Sequence, residues 1–545
     1  MKKGLRNFVL GTMLISTIVS PVGNIVTKAE GVATETEAEA ENEKNEKFAD
    51  IRPQDDFYGY MNAAFLRNAK YDPKYGYGSF EDCEYLADTR MDELIDKIVA
   101  EDEHTSTDAK LIKSYYQQVI DYSGNNSNAD SDLENARKEI EGISSMQELM
   151  EMLGKYDYEY GVHPVNDFSI SKSFTTSDQY SLGFSGIDSI LEVPVQDIAE
   201  SREGRSALRD KVRNMLINLG YDKQEASISA DNFTAMAVDI AFHKLDKAQD
   251  FDGVVICNTE EIKQRGFDID SFTRGFGVEN PYDEWLISSV DQFMEMTEKL
   301  SDEKNLENFK IWLLLDYVIS EEFYLSDKYR AIHRMFGEET KQGDMLGKYL
   351  VKKNLTDSLG RLYKEAYYTK EKEEKVRAMC EDIRQSYREL ISKADWLSQD
   401  GRDKLLSKLE NIEFKLGGES ADGGMIDLNL LGADAYETGK NLIRSEWNYL
   451  KELLKTKRPK CGDAMPSQQV NADFWVDNVV VIPAAIQDGP FFDENRSEYA
   501  NLGGLGELFK KINKEKGISI LQVTHSEKCA EYGDRIVRLD GGRTE

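Results

Sequence analysis

Apolar side chains recur at helical spacing along most of this chain, and this periodicity limits the fold more than any other feature. Between residues 376 and 391 they follow the i, i+3/i+4, i+7 rule with charged residues between them, which indicates a helix with one buried face. Residues 306–319 are apolar around more of the circumference, which indicates a helix buried between others. Residues 51 to about 460, in a chain with only 10 prolines, are therefore predicted to be mainly α-helical, with few strands before residue 469.

The charge balance excludes several classes of partner. Lys and Arg total 68 against 101 Asp and Glu, for a formal net charge of −33. Nucleic acids and anionic membranes are bound through a basic face, so neither is an expected partner. Peptides remain possible partners, and the oligomeric state stays open. The five cysteines lie at least 68 residues apart, which excludes a C-x-x-C zinc knuckle or a dense disulfide framework.

The first 50 residues have the composition of an export signal followed by a linker. Residues 1–29 contain three early basic residues, an apolar run at 8–19 and a small-residue cleavage site at 27–29, which predicts a signal peptide and a secreted, extracellular protein. The alternative is an uncleaved anchor at the cell surface. Because the run is shorter than the roughly 20 residues of a bilayer span, stable membrane insertion is not expected. Residues 30–50 are acidic and poor in large apolar side chains, which is typical of a flexible linker.

The pattern changes twice toward the C-terminus. Residues 469–483 contain short runs rich in Val and aromatic residues, broken by an Asp-Asn pair, which predicts two strands joined by a turn. Residues 507–545 carry a net charge of +1 against −34 for the preceding residues, and their pattern is helix, strand, helix, strand. The chain is therefore divided into a helical domain at 51–465, a β-containing portion at 466–506 and an α/β tail at 507–545.

Six blocks of sequence resemble, in the same order, the neprilysin and endothelin-converting-enzyme family of zinc metallopeptidases. They are RPQDDFYGYMN (52–62), NLTDSLGRLY (354–363), DWLS (395–398), KLENIEFKLG (408–417), VNA (470–472) and PAAIQDGPFFD (483–493). The resemblance implies a mainly α fold, in which a large helical lobe at 51–465 faces a thermolysin-like α/β lobe that begins at 466 and is truncated at 506. It also implies a cavity between the lobes that admits peptides.

The same resemblance implies a substrate-binding pair. In the family, an Asn-Ala pair on an edge strand hydrogen-bonds the extended substrate backbone, as in strand addition. The matching residues are Asn471 and Ala472. Asp473 stands where the family has an aromatic residue, which leaves the strand register open. The alternative role for Asn471 is that of a turn or cap residue.

The zinc motif of the family is not found in the sequence. H-E-x-x-H binds zinc through two histidines one helical turn apart, with the glutamate as general base. Residues 507–511 read ELFKK at the corresponding place, and no two of the five histidines lie closer than 59 residues. We therefore expect no catalytic residue, no metal ligand and no cofactor in this chain, although the intact family uses zinc. His243, four residues after Asp239, is interpreted as a helix-surface residue, and His104 as part of a solvated helix end.

The tail carries a second resemblance. GISILQVTH (517–525) and YGDRIVRLDGG (532–542) resemble the end of an ABC-transporter ATPase subunit, in which the His after V-T contacts the γ-phosphate of ATP. The matching residue is His525. Since the sequence has no phosphate-binding loop, no signature motif and no Walker B strand, His525 is interpreted as vestigial and the tail as a fusion scar. The strand surface at 479–482 is then expected to lack the helices that should cover it.

Taken together, the sequence predicts a secreted, neprilysin-like zinc metalloendopeptidase by family, acting on peptides, that is inactive in this form because the zinc helix is missing. Two alternatives stay open. The first is a non-catalytic protein that binds peptides or serves as a scaffold through the helical lobe and the Asn471-Ala472 strand. The second is a nucleotide-binding accessory chain of the ABC type that depends on His525.

Overall fold

The computed structural model describes residues 74–122, 128–245, 255–329, 343–418, 427–457, 465–495, 501, 539–540 and 543–544, apart from short gaps at 77, 174, 177, 475–477 and 490. The predicted signal peptide, the linker, the first neprilysin-like block, residues 507–511 and His525 lie outside the described residues.

Helices dominate the first half of the described chain, as the periodicity predicts. They are α1 (Ser79–Ala100), α2 (Thr107–Asp121), α3 (Asn128–Glu141), α4 (Met146–Tyr160), α5 (Val195–Glu200), α6 (Arg202–Asn218), α7 (Lys223–Leu245), α8 (Thr259–Gln264), α9 (Ile269–Phe276), α10 (Val290–Leu300) and α11 (Leu306–Glu321). Side-chain caps fix several starts: Ser145 accepts a hydrogen bond from the Glu148 amide at 3.2 Å before α4. Gly161 in the left-handed region ends that helix.

A four-stranded sheet is inserted between these helices, and the sequence did not predict it. Its order is β1 (Asp167–Lys172), β2 (Tyr180–Ser185), β6 (Trp285–Ile287) and β5 (Val255–Cys257), with β2 and β6 parallel and the other pairs antiparallel. A separate short hairpin joins β3 (Ser189–Ile190) and β4 (Val193–Pro194). Few strands precede residue 469, as expected, although the sequence did not locate them. Strands β5 and β6 have three residues each and are too short to show alternation in a sequence.

The second half continues with helices and then a smaller sheet. The helices are α12 (Asp344–Asn354), α13 (Thr356–Tyr367), α14 (Lys370–Lys393), α15 (Gln399–Glu410) and α16 (Ala435–Leu453). In the sheet, β9 (Val479–Pro483) lies between β7 (Glu413–Gly417), which is parallel to it, and β8 (Asp473–Phe474), which is antiparallel. The two strands predicted within 469–483 are confirmed, and Asn478, with φ of 70°, directly precedes β9.

The helices and the four-stranded sheet share one large core. Helix α11, predicted to be buried, places Phe309, Trp312 and Tyr317 in it with at most 1% exposure. Aromatic rings join sheet to helix: Phe168 on β1 lies with its ring centroid 4.7 Å from that of Phe276 on α9. Helices α4 and α9 cross closely at Gly154 and Gly275.

A second, smaller core fills the space between the three-stranded sheet and α1 and α14. Its buried residues are Cys83, Val376, Met379, Cys380, Leu416, Ala472, Ile482, Ile486, Phe491 and Phe492. Val479 and Val481 are also buried, in a cluster with Met465. The expectation that 479–482 would lack covering is wrong, since α14 packs against this sheet and Ile482 lies between them.

Near the C-terminus, two strands of two residues each are described: β10 (Leu539–Asp540) pairs antiparallel with β11 (Arg543–Thr544). Only the end of the strand predicted at 535–539 is therefore described. Within the described ranges, no helix is both long and apolar enough to cross a membrane.

Candidate functional site

The edge of the three-stranded sheet is the part of the described chain best suited to hold an extended peptide. Strand β8 lies at one end of the order β7-β9-β8, and it pairs with β9 through Asp473 opposite Val481 and Phe474 opposite Val480. An edge strand presents backbone donors and acceptors on its outer side, where an incoming strand can pair. Strand β8 is thus the edge at which strand addition would take place, and the binding of a peptide there stays a prediction.

Asn471 and Ala472 lead directly into this edge strand, where the resemblance places them. The Asn471 side-chain Oδ1 accepts a hydrogen bond from the Ala472 amide at 2.8 Å. Ala472 is 1% exposed and packs in the second core. The methyl group of Ala472 thus anchors the strand, while Asn471 is half-buried. This local hydrogen bond to the backbone is of the kind that a turn residue makes, and the contact of Asn471 with a substrate stays a prediction.

Strand β9 is fixed by a polar turn that sequence reasoning did not identify. The Asp488 carboxylate accepts hydrogen bonds from Arg90 on α1 at 2.6 Å and from Lys372 on α14 at 2.7 Å. Gln487 donates to the Ile482 carbonyl at 2.6 Å and accepts from the Tyr368 hydroxyl at 2.8 Å. The conspicuous block around DGPFFD is the sequence signal that could have drawn attention to this turn, but its cationic partners lie 398 and 116 residues away.

The described residues do not fit a catalytic zinc ion. Among them, no three His, Cys, Asp or Glu side chains are grouped so that they could hold a metal. His163 lies 3.6 Å from Asp157 through Nδ1 and 3.7 Å from Asp167 through Nε2, so its two nitrogens face different carboxylates and cannot share one ion. A zinc site needs three converging protein ligands. The described side chains therefore do not provide the ligands for the zinc ion that the family resemblance implies.

The two histidines considered from the sequence have different outcomes. His104 is not part of a solvated helix end: its side chain is 8% exposed, and Nε2 lies 2.7 Å from the Ile98 carbonyl oxygen, which holds the ring against the end of α1. That interpretation was wrong because a ring can fold back from a charged segment onto a free helix carbonyl. His243 lies on α7, as predicted, but its side chain is outside the described part.

A wide polar groove lies elsewhere on the molecule. Its cavity of about 1020 Å³ is lined by the α1–α2 connection, by α2 and by residues 433–434 before α16. Its charged side chains are of both signs, and none of its lining residues belongs to the three-stranded sheet. We assign it no chemistry.

The class of protein follows from comparison of the sequence and the fold with known proteins. The sequence model described as Peptidase family M13 matches residues 53–419, and the chain belongs to that family. Four of the blocks noted from the sequence, at 52–62, 354–363, 395–398 and 408–417, lie in this matched range, apart from residue 52.

Individual relatives are distant. The Lactobacillus helveticus protein named Neutral endopeptidase is 24% identical over 356 residues, a match that spans 62% of this chain and 54% of the relative. The Lactococcus lactis subsp. cremoris protein of the same name is 23% identical over 486 residues, spanning 84% of this chain and 75% of the relative. The crystal structure of the Mycobacterium tuberculosis zinc metalloprotease ZMP1 in complex with an inhibitor has a TM-score of 0.73 at 22% identity, and covers 85% of this chain and 72% of that one. The fold is shared, whereas this chain spans only part of the length of each relative.

Proposed function

We propose that this chain supplies the peptide-holding part of a neprilysin-like, zinc-dependent endopeptidase and that its own residues bind peptides without cleaving them. The observation that carries the proposal is the edge strand β8, which follows Asn471 and Ala472 in a chain of family M13. The family and the related endopeptidases support peptides as the ligand class.

Peptide binding would use the backbone rather than a particular side chain. Strand addition draws its affinity from main-chain hydrogen bonds, and specificity from pockets for alternate side chains. Asn471 at the rim would contact the peptide backbone through its amide, while the buried Ala472 keeps the strand in register. The charge of −33 favours peptides without a large acidic excess.

No catalytic step is assigned to these residues. In the family, zinc activates the attacking water and polarises the scissile carbonyl. The sequence has no H-E-x-x-H, and the described side chains offer no three-ligand group. We infer that the described residues do not hydrolyse peptides by themselves.

The first test measures zinc and cleavage. Homogeneous protein equilibrated with zinc and then desalted should contain far less than one zinc ion per chain by mass spectrometry of the metal. It should not cleave fluorogenic peptides. One zinc ion per chain, together with peptide cleavage that a chelator abolishes, would contradict the proposal that this chain does not cleave peptides.

The second test measures binding. A fluorescently labelled, extended neutral peptide should bind, and Asn471→Ala should weaken its Kd roughly fivefold, because one hydrogen bond contributes about 1 kcal/mol. Asn429→Ala, at an exposed Asn that bonds only to nearby Asp427, is the matched control and should leave Kd unchanged. Equal Kd values for wild type and Asn471→Ala would reject the edge-strand site.

The export signal and the tail remain proposals with tests of their own. Secretion predicts a mature N-terminus near residue 30, which N-terminal sequencing of protein from the culture medium would show.

We propose that residues 507–545 derive from an ABC ATPase and that the peptidase sequence is truncated before the zinc helix. Genomic reads should then span the codons for residues 506 and 507. Reads that instead continue into an H-E-x-x-H frame would contradict the fusion. ATP binding that is lost in His525→Ala would favour the nucleotide-binding alternative.

A further inference from the structure

A small cavity lies where α4 passes into β1. It is bordered by the end of α4, by the connection at residues 163–166, and by aromatic rings from β2 and α9. Its volume is about 10 Å³. That is close to the space one water molecule occupies inside a protein, and too small for an organic ligand.

Polar atoms that make no direct hydrogen bond among the described residues surround this cavity, although His163 and Asp157 face each other as an ion pair. Both carboxylate oxygens of Asp157, Nδ1 of His163 and Oδ1 of Asn166 are buried and have no hydrogen-bond partner within the described chain. Asp157 is 1% exposed and Asn166 is 4% exposed. A buried polar group left unpaired costs about 1–3 kcal/mol. Four such atoms around one cavity indicate a ligand that donates and accepts.

The orientation of each group identifies what the ligand must offer. Asn166 donates through Nδ2 to the Ser185 carbonyl at 3.0 Å, so its Oδ1 is the acceptor left over. Burial alone would lower the pKa of His163, but the neighbouring carboxylates of Asp157, Asp167 and Asp316 raise this pKa to about 9. Nδ1 is therefore a donor at neutral pH. It lies 3.6 Å from Asp157 Oδ1, which is longer than a direct hydrogen bond and suits a bridging molecule.

We propose that this cavity is a binding site for one ordered water molecule that bridges Asp157, His163 and Asn166. The water accepts from His163 Nδ1 and donates to the Asp157 carboxylate and to Asn166 Oδ1. Three hydrogen bonds are the usual number for a buried water. The side chains of the remaining lining are apolar, from Met150, Leu153, Phe184, Phe267 and Phe272 among others. The water thus joins the end of α4 to the start of the four-stranded sheet.

A crystal structure of the full chain at high resolution tests this directly. We expect a single density peak in the cavity, at about 2.6–3.2 Å from oxygens of Asp157 and Asn166. An empty cavity, in a map that shows other interior waters, would overturn the proposal. So would a peak at about 2.0–2.4 Å from these oxygens, since such distances are those of a metal ion.

Magnetic relaxation dispersion of ¹⁷O, which counts long-lived buried waters in solution, provides the second measurement. Asp157→Leu removes two acceptors and should lower the count by one relative to wild type. Asp400→Leu, at an exposed carboxylate on α15, is the control and should leave the count unchanged. Equal counts for wild type and Asp157→Leu would contradict the proposal. If Asp157→Leu does not fold, the density in the wild-type crystal decides alone.

Discussion

Asp488 ties the three-stranded sheet to the helices on which it rests. Its carboxylate is 12% exposed and binds Arg90 and Lys372, of which Lys372 is 8% exposed. Removing one partner of a buried pair leaves the other charges without compensation. We expect Asp488→Ala to lower the free energy of unfolding by about 3 kcal/mol, measured by urea denaturation.

A matched exposed pair provides the control for this prediction. Asp400 and Lys404 on α15 lie 2.7 Å apart, but their side chains are 78% and 76% exposed. Solvent screens such a pair, so Asp400→Ala should change the free energy of unfolding by no more than about 0.5 kcal/mol. Similar losses in the two variants would mean that Asp488 acts as an ordinary surface charge.

Glu321, at the end of α11, should make stability depend on pH. Its side chain is 2% exposed, and burial raises its pKa from 4.5 to about 7. The folded state therefore holds a proton that the unfolded state releases, so the free energy of unfolding falls as pH rises from about 4.5 to about 7. Glu321→Gln, which cannot ionise, should reduce this fall by up to about 3 kcal/mol.

Urea denaturation between pH 4 and pH 8 measures this effect. Part of the fall should persist in Glu321→Gln because burial also raises the pKa of Asp316 to about 7. Glu365→Gln is the control, since this exposed glutamate lies within α13. A pH profile of Glu321→Gln identical to that of the wild type would show that Glu321 is solvated in the folded state.

At the level of elements, the crossing of α4 and α9 depends on two glycines. A Cβ added at Gly154 would overlap the main-chain oxygen of Phe272, and one added at Gly275 would overlap that of Glu151. Backbone cannot yield as a flexible side chain does. We therefore expect Gly154→Ala to destabilise the protein by about 2 kcal/mol or more, as a shift in thermal unfolding would show.

Gly401 on α15 is the comparison for this change. Its added Cβ would lie 3.1 Å from the flexible hydroxyl of Ser398 and contact no backbone. Alanine also favours a helix over glycine by up to about 1 kcal/mol. Gly401→Ala should thus be neutral within about 1 kcal/mol, and an equal loss in both variants would reject close helix contact as the cause.

The elements also show where prediction from the sequence succeeds. The 3.6-residue period identified α14, but within that helix only Lys372, Val376, Met379 and Cys380 are fully buried. Periodicity reveals which face is apolar and not how completely a partner covers it. The parallel pairing of β2 with β6 joins residues about a hundred positions apart, and a single sequence carries no local signal for such a contact.

For the whole molecule, the family resemblance predicted more than physical patterns did. It drew attention to Asn471 and Ala472, which directly precede the edge strand β8, and their role in binding a substrate stays a prediction. It could not reveal the Asp488 turn or the buried cluster at Asp157, because both depend on partners that only the fold brings together. Burial of Val479 and Val481 likewise follows from tertiary packing.

The two cores should open separately when the molecule is stressed, and buried cysteines can report this. Cys83 and Cys380 lie in the smaller core, and Cys257 lies in the larger one. Burial raises the pKa of each thiol, to about 12 for Cys83 and Cys380 and to about 11 for Cys257, so none reacts readily in the folded protein.

Because local stability follows the buried apolar area, the smaller core should open first. In moderate urea, pulse alkylation followed by mass spectrometry should therefore label Cys83 and Cys380 before Cys257. Simultaneous labelling of all three would mean that the ion pairs of Asp488 and the surrounding contacts make the two cores one cooperative unit.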